Sequence, residues 1–76
     1  QYIAAVGTFS AKGEISVWDP RQSRAIANLH DPRSIRGGVM QLQFGPDGWT
    51  LFASHRKSEA IVQWDLRKEA VTALYE

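Results

Sequence analysis

Short apolar segments alternate with turn-forming residues along the whole chain, and no stretch sustains a helical period. Tyr2 to Phe9 is β-branched and aromatic enough for a strand, and Ala11-Lys12-Gly13 breaks it. Glu14 to Asp19 has period two, which predicts Ile15 and Val17 on one face and Ser16 and Trp18 on the other. Asp19-Pro20-Arg21 reads as a turn, because proline presets φ and the aspartate can accept from its own backbone. Ala25 to Leu29 is a weaker strand, and Asp31 to Gly38 is the longest loop. Val39 to Phe44 alternates again, with Met40, Leu42 and Phe44 expected on one face. Gly45-Pro46-Asp47-Gly48 is a strong turn signal, and Thr50 to Ser54, Ala60 to Asp65 and Ala70 to Tyr75 follow as strands. The pattern therefore predicts seven short strands and an all-β, antiparallel fold.

An internal repeat organises these strands. An offset of 46 residues superimposes Trp18-Asp19 on Trp64-Asp65. The same offset pairs Ile15 with Ile61, Thr8 with Ser54, Arg21 with Arg67, and Ala27 with Ala73. The matches fall on strand positions and on the turn that follows, as expected for one supersecondary unit used twice.

The residues of the repeat resemble those of the WD-repeat family. Gly7-Thr8-Phe9-Ser10 with Gly13 to Asp19 is similar to the second half of one repeat. Phe44 to Gly48, Leu51 to Ser54 and Ile61 to Asp65 are similar to another. The resemblance implies a β-propeller fragment with antiparallel four-stranded blades. Residues 1–30 would be strands b, c and d of one blade, and residues 31–76 a d–a loop and one complete blade. Within that family, Phe52 to Lys57 with Trp64-Asp65-Leu66-Arg67 is similar to the telomerase Cajal-body proteins, which bind small nuclear and telomerase RNAs.

The same resemblance gives Thr8, Trp18, Asp19, Asp47, Ser54, Trp64 and Asp65 structural roles in the repeat. WD blades often bury a network of Trp, Ser or Thr, His and Asp. Here its Asp position falls on Ser58 or Lys12 and its His position on Ile35 or His30, which implies an incomplete network. Each indole N–H still requires an acceptor.

Composition and charge narrow the function. There is no cysteine, so disulfides, thiolate nucleophiles and Cys-containing zinc sites are excluded. The chain has no apolar run of membrane-spanning length, and its net charge of +1 selects no partner by itself. It begins at Gln1 with Met40 as its only methionine, and is therefore expected to be a stretch of something longer, whose remaining blades would be partners. His30 and His55 lie in different repeats without a third ligand, and cations beside His55 would lower its pKa and its affinity for metal. No phosphate-binding glycine loop, nucleophile elbow or carboxylate pair is present, so neither an enzyme nor a cofactor site is expected.

The charges separate once they are placed on the blades. The d–a and b–c connections emerge at one end and gather Lys12, Arg33, Arg36, Arg56 and Lys57 against Glu14, Asp31 and Glu59. The opposite end balances Arg21, Arg24, Arg67 and Lys68 against Asp19, Asp47, Asp65 and Glu69. The basic end is a candidate surface for an RNA backbone. It is equally a solvated loop set, or a grip for an acidic protein. Trp49 follows the Pro-Asp-Gly turn and is either a stacking platform or packed against the neighbouring turn. The expected function is a non-catalytic RNA- and protein-binding scaffold of a nuclear ribonucleoprotein. The alternative is a protein-interaction platform without RNA, with a cytoplasmic location open. Two repeats fall short of what propellers need, so the chain in isolation is expected to be molten or aggregated, with exposed sheet edges inviting association.

Overall fold

A computed structural model describes residues 4–7, 14–19, 21, 24–30 and 37–76. Among these residues seven strands form where the alternation places them: β1 (Ala4–Gly7), β2 (Ile15–Asp19), β3 (Arg24–Leu29), β4 (Val39–Phe44), β5 (Thr50–His55), β6 (Ile61–Asp65) and β7 (Ala70–Tyr75). They make two antiparallel sheets, one ordered β1-β2-β3 and one ordered β4-β5-β6-β7. The second is a four-stranded meander of the kind the WD resemblance implies, and the chain is an all-β blade fragment. Thr8, Lys12, Arg33, Ile35 and Arg36 lie outside the described residues.

One core joins the sheets. Ile15, Val17 and Leu29 of the first pack with Val39, Leu51, Ala53, Val62 and Trp64 of the second, and all are buried. Each sheet thus has an inner face turned to its neighbour and an outer face. The approach is closest where β1 meets β4. A Cβ built on Gly7 would lie 2.5 Å from both Cβ and Cγ1 of Val39, so only a residue without a side chain fits there. Gly7→Ala should therefore lower stability by about 1–3 kcal/mol through overpacking. A denaturant melt checks this. Adding Val39→Ala to that variant should recover part of the loss, and an unshifted midpoint for Gly7→Ala would contradict the packing.

The repeat is visible in the pairing itself. Ile15 pairs with Leu29 and Ile61 with Tyr75, and a bulge precedes the tryptophan in both hairpins, at Val17/Trp18 and at Gln63/Trp64. The strand before each hairpin differs. Gly7 stands opposite Ile15 whereas Ser54 stands opposite Ile61, so Gly7 is the structural counterpart of Ser54. The pairing of Thr8 with Ser54 by constant offset is corrected by one residue, because the connection between β1 and β2 is one residue longer. A second departure lies in β4. A bulge between Val39 and Gln41 moves Met40 off the face it would share with Leu42 and Phe44, and Met40 is exposed.

Equivalent tryptophans have unequal surroundings. Trp64 is 1% exposed on the inner face of its sheet, while Trp18 is 36% exposed on the outer face of the other. Their shared place in the repeat therefore does not give the two rings the same burial.

Candidate functional site

The candidate basic surface is built on the β5–β6 connection. Arg56 and Lys57 follow directly from the last residue of β5, and both are exposed. The Arg56 N–H donates to the Gly38 carbonyl at 2.9 Å, which ties the turn to the segment leading into β4. Gly37 makes that tie possible. Its φ is +79°, and a Cβ there would lie 3.2 Å from Cγ and the backbone nitrogen of Lys57. The turn closes with the Ser58 N–H on the His55 carbonyl and the Ala60 N–H on the Ser58 hydroxyl. Neither Arg56 nor Lys57 is held in an ion pair among the described residues, so both charges face solvent. Glu14 and His30 are exposed at the same end, while Lys12, Arg33 and Arg36 are outside the described residues. Arg36 precedes Gly37 directly in the chain.

His55 sits beneath this turn, 3% exposed. Its Nδ1 lies 3.1 Å from the Gly37 carbonyl, which can only accept, so Nδ1 carries the proton of the neutral ring. Nε2 is then a buried acceptor with no partner among the described residues. Burial lowers the His55 pKa, and the bond to Gly37 opposes that only in part. The direction matches the sequence reading, but burial rather than the adjacent cations is the cause. In the unfolded chain the ring titrates near 6.5. Above that pH it is neutral in both states and makes stability no more or less dependent on pH. Below it the unfolded state takes up the proton first, so stability falls with pH until the folded ring is also protonated. A denaturant midpoint should thus be lower at pH 5.5 than at pH 7.5, and His55→Gln should flatten the difference. An equal slope in both proteins would contradict the burial. No group of three or more potential metal ligands occurs among the described residues.

The opposite end is built from two copies of one turn. Asp19 Oδ1 accepts from the Arg21 backbone N–H at 3.0 Å and from Arg21 Nε at 3.0 Å, while Nη2 reaches Oδ2 at 2.9 Å. Asp65 and Arg67 repeat this with 2.8, 3.4 and 3.2 Å. The Arg67 hydrogen bonds hold the Asp65 carboxyl below its ordinary pKa. Asp47 closes the β4–β5 turn by accepting from the backbone of Trp49 and Thr50 and from the Thr50 hydroxyl, which chiefly lowers its pKa. The Arg67 guanidinium lies 4.3 Å from the Trp49 ring centroid, so Trp49 is packed against the neighbouring turn. Its ring and Leu66 line a cleft of about 270 Å³ between the sheets, with Val17, Ile26 and Ala27 on the far wall. That cleft was not foreseen from the sequence, because its walls come from turns and strands far apart in the chain.

Among the described residues, no buried polar network joins Trp64 to Ser54. Ser54 pairs with Ile61 and points to the outer face, whereas Trp64 pairs with Leu51 on the inner face. The Trp64 indole nitrogen is buried with no acceptor among the described residues, contrary to the expectation that each indole would find one. Among the described residues, apolar packing holds that ring.

Comparison with known proteins follows the same residues. The chain is 38% identical over 58 residues to the telomerase Cajal body protein 1 homolog of Drosophila melanogaster, covering 72% of this chain and 11% of that protein. It is 31% identical over 68 residues to telomerase Cajal body protein 1 of Homo sapiens, covering 90% of this chain and 12% of that protein. The Rattus norvegicus protein of the same name gives the same identity and coverage. The chain thus spans 11–12% of the length of these relatives. No family model matches it, and no solved structure does.

Proposed function

We propose, from the similarity to telomerase Cajal body proteins along most of this chain, that it is part of a non-catalytic scaffold that holds RNA and protein in a nuclear ribonucleoprotein. The observation that carries the reading is the pair Arg56 and Lys57. They are exposed, adjacent and free of ion pairs among the described residues, on a turn fixed to Gly37 and Gly38. A guanidinium fork beside an ammonium suits successive phosphates of an RNA backbone. Arg33 and Arg36 on the connection that ends at Gly37, and Lys12 on that between β1 and β2, would extend the same rim. The Cajal body in the relatives' names is a nuclear compartment, which supports that location here. No step of chemistry is assigned to the chain.

Binding of this kind is sequence-tolerant and weakens with salt. Each phosphate contact on single-stranded RNA contributes a slope of about −0.7 in log affinity against log salt. Titration of the chain into a labelled single-stranded RNA, followed by anisotropy, should show affinity falling steeply as salt rises from about 50 to about 200 mM. Absence of binding at the lower salt would contradict the RNA reading and favour a protein-only platform.

A further inference from the structure

We infer that the cleft between the two sheets binds a peptide segment in which a large apolar side chain stands next to a lysine or arginine. One wall is made by the β4–β5 and β6–β7 turns, with Trp49, Leu66 and Glu69, and the other by β2 and β3, with Ile26. These turns are at the end away from Arg56 and Lys57, so the site goes beyond the RNA reading and stands without it.

Size and lining select the apolar part of the guest. The cleft holds about 270 Å³. Sites that enclose a drug-sized ligand run from about 300 to 1,000 Å³. There is thus room for one large side chain, but not for a nucleotide or a bulky cofactor. Trp49 is 38% exposed and Ile26 is 42% exposed, so both offer apolar surface that the fold leaves uncovered. The wall is also preset. The Leu66 N–H donates to the Trp49 carbonyl at 2.8 Å, and the Trp49 N–H donates to Asp47 Oδ1 at 3.0 Å. The Arg67 guanidinium stacks on the Trp49 ring. A guest does not have to order these groups, which lowers the entropic cost of binding.

Glu69 selects the basic part. It lines the cleft, is exposed, and makes no ion pair among the described residues. The other charged residue in the lining, Arg67, is already committed to Asp65 at 3.2 Å. The uncompensated charge beside the apolar wall is therefore a carboxylate. Its backbone points the same way. Glu69 has φ +52°, and it is the one non-glycine residue with positive φ among the described residues. Gly37 and Gly48 meet the same requirement without a side chain. At Glu69 the β6–β7 turn instead tolerates a strained backbone and keeps a carboxylate at the cleft. Strain of this kind collects at ligand sites.

The experiment is an NMR titration of the isotope-labelled chain with three end-capped peptides, Gly-Phe-Lys-Gly, Gly-Phe-Glu-Gly and Gly-Ala-Lys-Gly. One buried ring and one exposed charge pair correspond to a dissociation constant on the order of 1 mM. The Phe-Lys peptide should move the Trp49 indole N–H and Ile26 methyl resonances to a plateau. The Phe-Glu peptide should bind about five- to tenfold more weakly, because attraction to Glu69 becomes repulsion. The Ala-Lys peptide should reach no plateau. Glu69→Gln keeps the side-chain stem and should erase the preference for Phe-Lys over Phe-Glu while both still bind. Glu69→Gly should erase it too, and should raise the melting midpoint by relieving the backbone. Both variants should bind RNA as the unaltered chain does, so failure of the RNA reading and failure of this site are separate results. No plateau with Phe-Lys up to about 10 mM, or shifts confined to residues outside the cleft, would overturn the inference. So would equal affinity for Phe-Lys and Phe-Glu, or a preference that survives both Glu69 variants.

Discussion

Trp64→Ala removes most of the stability of this chain, whereas Trp18→Ala leaves its melt nearly in place. The two residues hold one position in the repeat, yet Trp64 is 1% exposed in the common core and Trp18 is on an outer face. Truncating a buried tryptophan costs about 3–5 kcal/mol in lost transfer energy and cavity. A domain of this length holds about 4–11 kcal/mol in total. The cavity would open between Leu51 and Val71, the cross-strand partners of Trp64, so both the sheet and its contact with β2 would loosen. Trp64→Phe separates volume from polarity. It keeps a ring in the site and removes an indole N–H that has no acceptor among the described residues, so its cost should be well below that of alanine. Equal midpoints for Trp18→Ala and Trp64→Ala would show that the sheets are not stacked in this sense.

Reversing two charges on the basic end should abolish most RNA binding without unfolding the protein. Arg56→Glu with Lys57→Glu replaces two cations by two anions on a turn whose backbone bonds are made by N–H and carbonyl groups, not by these side chains. Surface changes of that sort move stability by about 0.5 kcal/mol or less. Loss of two phosphate contacts lowers the salt slope by about 1.4, and repulsion from the added carboxylates weakens binding by roughly 10–100-fold at low salt. Reversing Arg67 and Lys68 at the opposite end provides the control. Arg67 is committed to Asp65 and Trp49, so that change should disturb its turn while leaving RNA affinity largely intact. Unchanged affinity in the Arg56 and Lys57 variant, with the fold intact, would refute the role of this rim.

Much of this architecture could be read from the chain because the rules involved are local. Period-two alternation and turn chemistry located all seven strands, and the Trp-Asp-x-Arg recurrence anticipated two turns with nearly the same hydrogen bonds. The strand before each hairpin escaped by one residue, since a constant offset cannot register a longer connection. Met40 escaped because a bulge breaks the alternation that a sequence reading must assume. The unequal burial of Trp18 and Trp64 depends on which neighbour covers each face, and residue identity does not encode that. The Arg67–Trp49 stack and the cleft beside it join turns that only folding brings together. For the basic end, the sequence located Arg56 and Lys57 on an exposed turn. The bond from Arg56 to Gly38 and the buried His55 below it arise from the left-handed backbone at Gly37, a conformation that the Gly37-Gly38 pair permits but does not announce.

Everything rests on two repeat units stacked face to face through β1 and β4, and the nuclear Overhauser spectrum of the labelled chain tests that contact most directly. Gly7 Hα should show strong cross-peaks to the Val39 methyl groups, given that even a Cβ on Gly7 would overlap that side chain. If those cross-peaks are absent while the pairs Gly7–Ile15 and Val39–His55 within the sheets are seen, the sheets exist but do not stack, and the account fails.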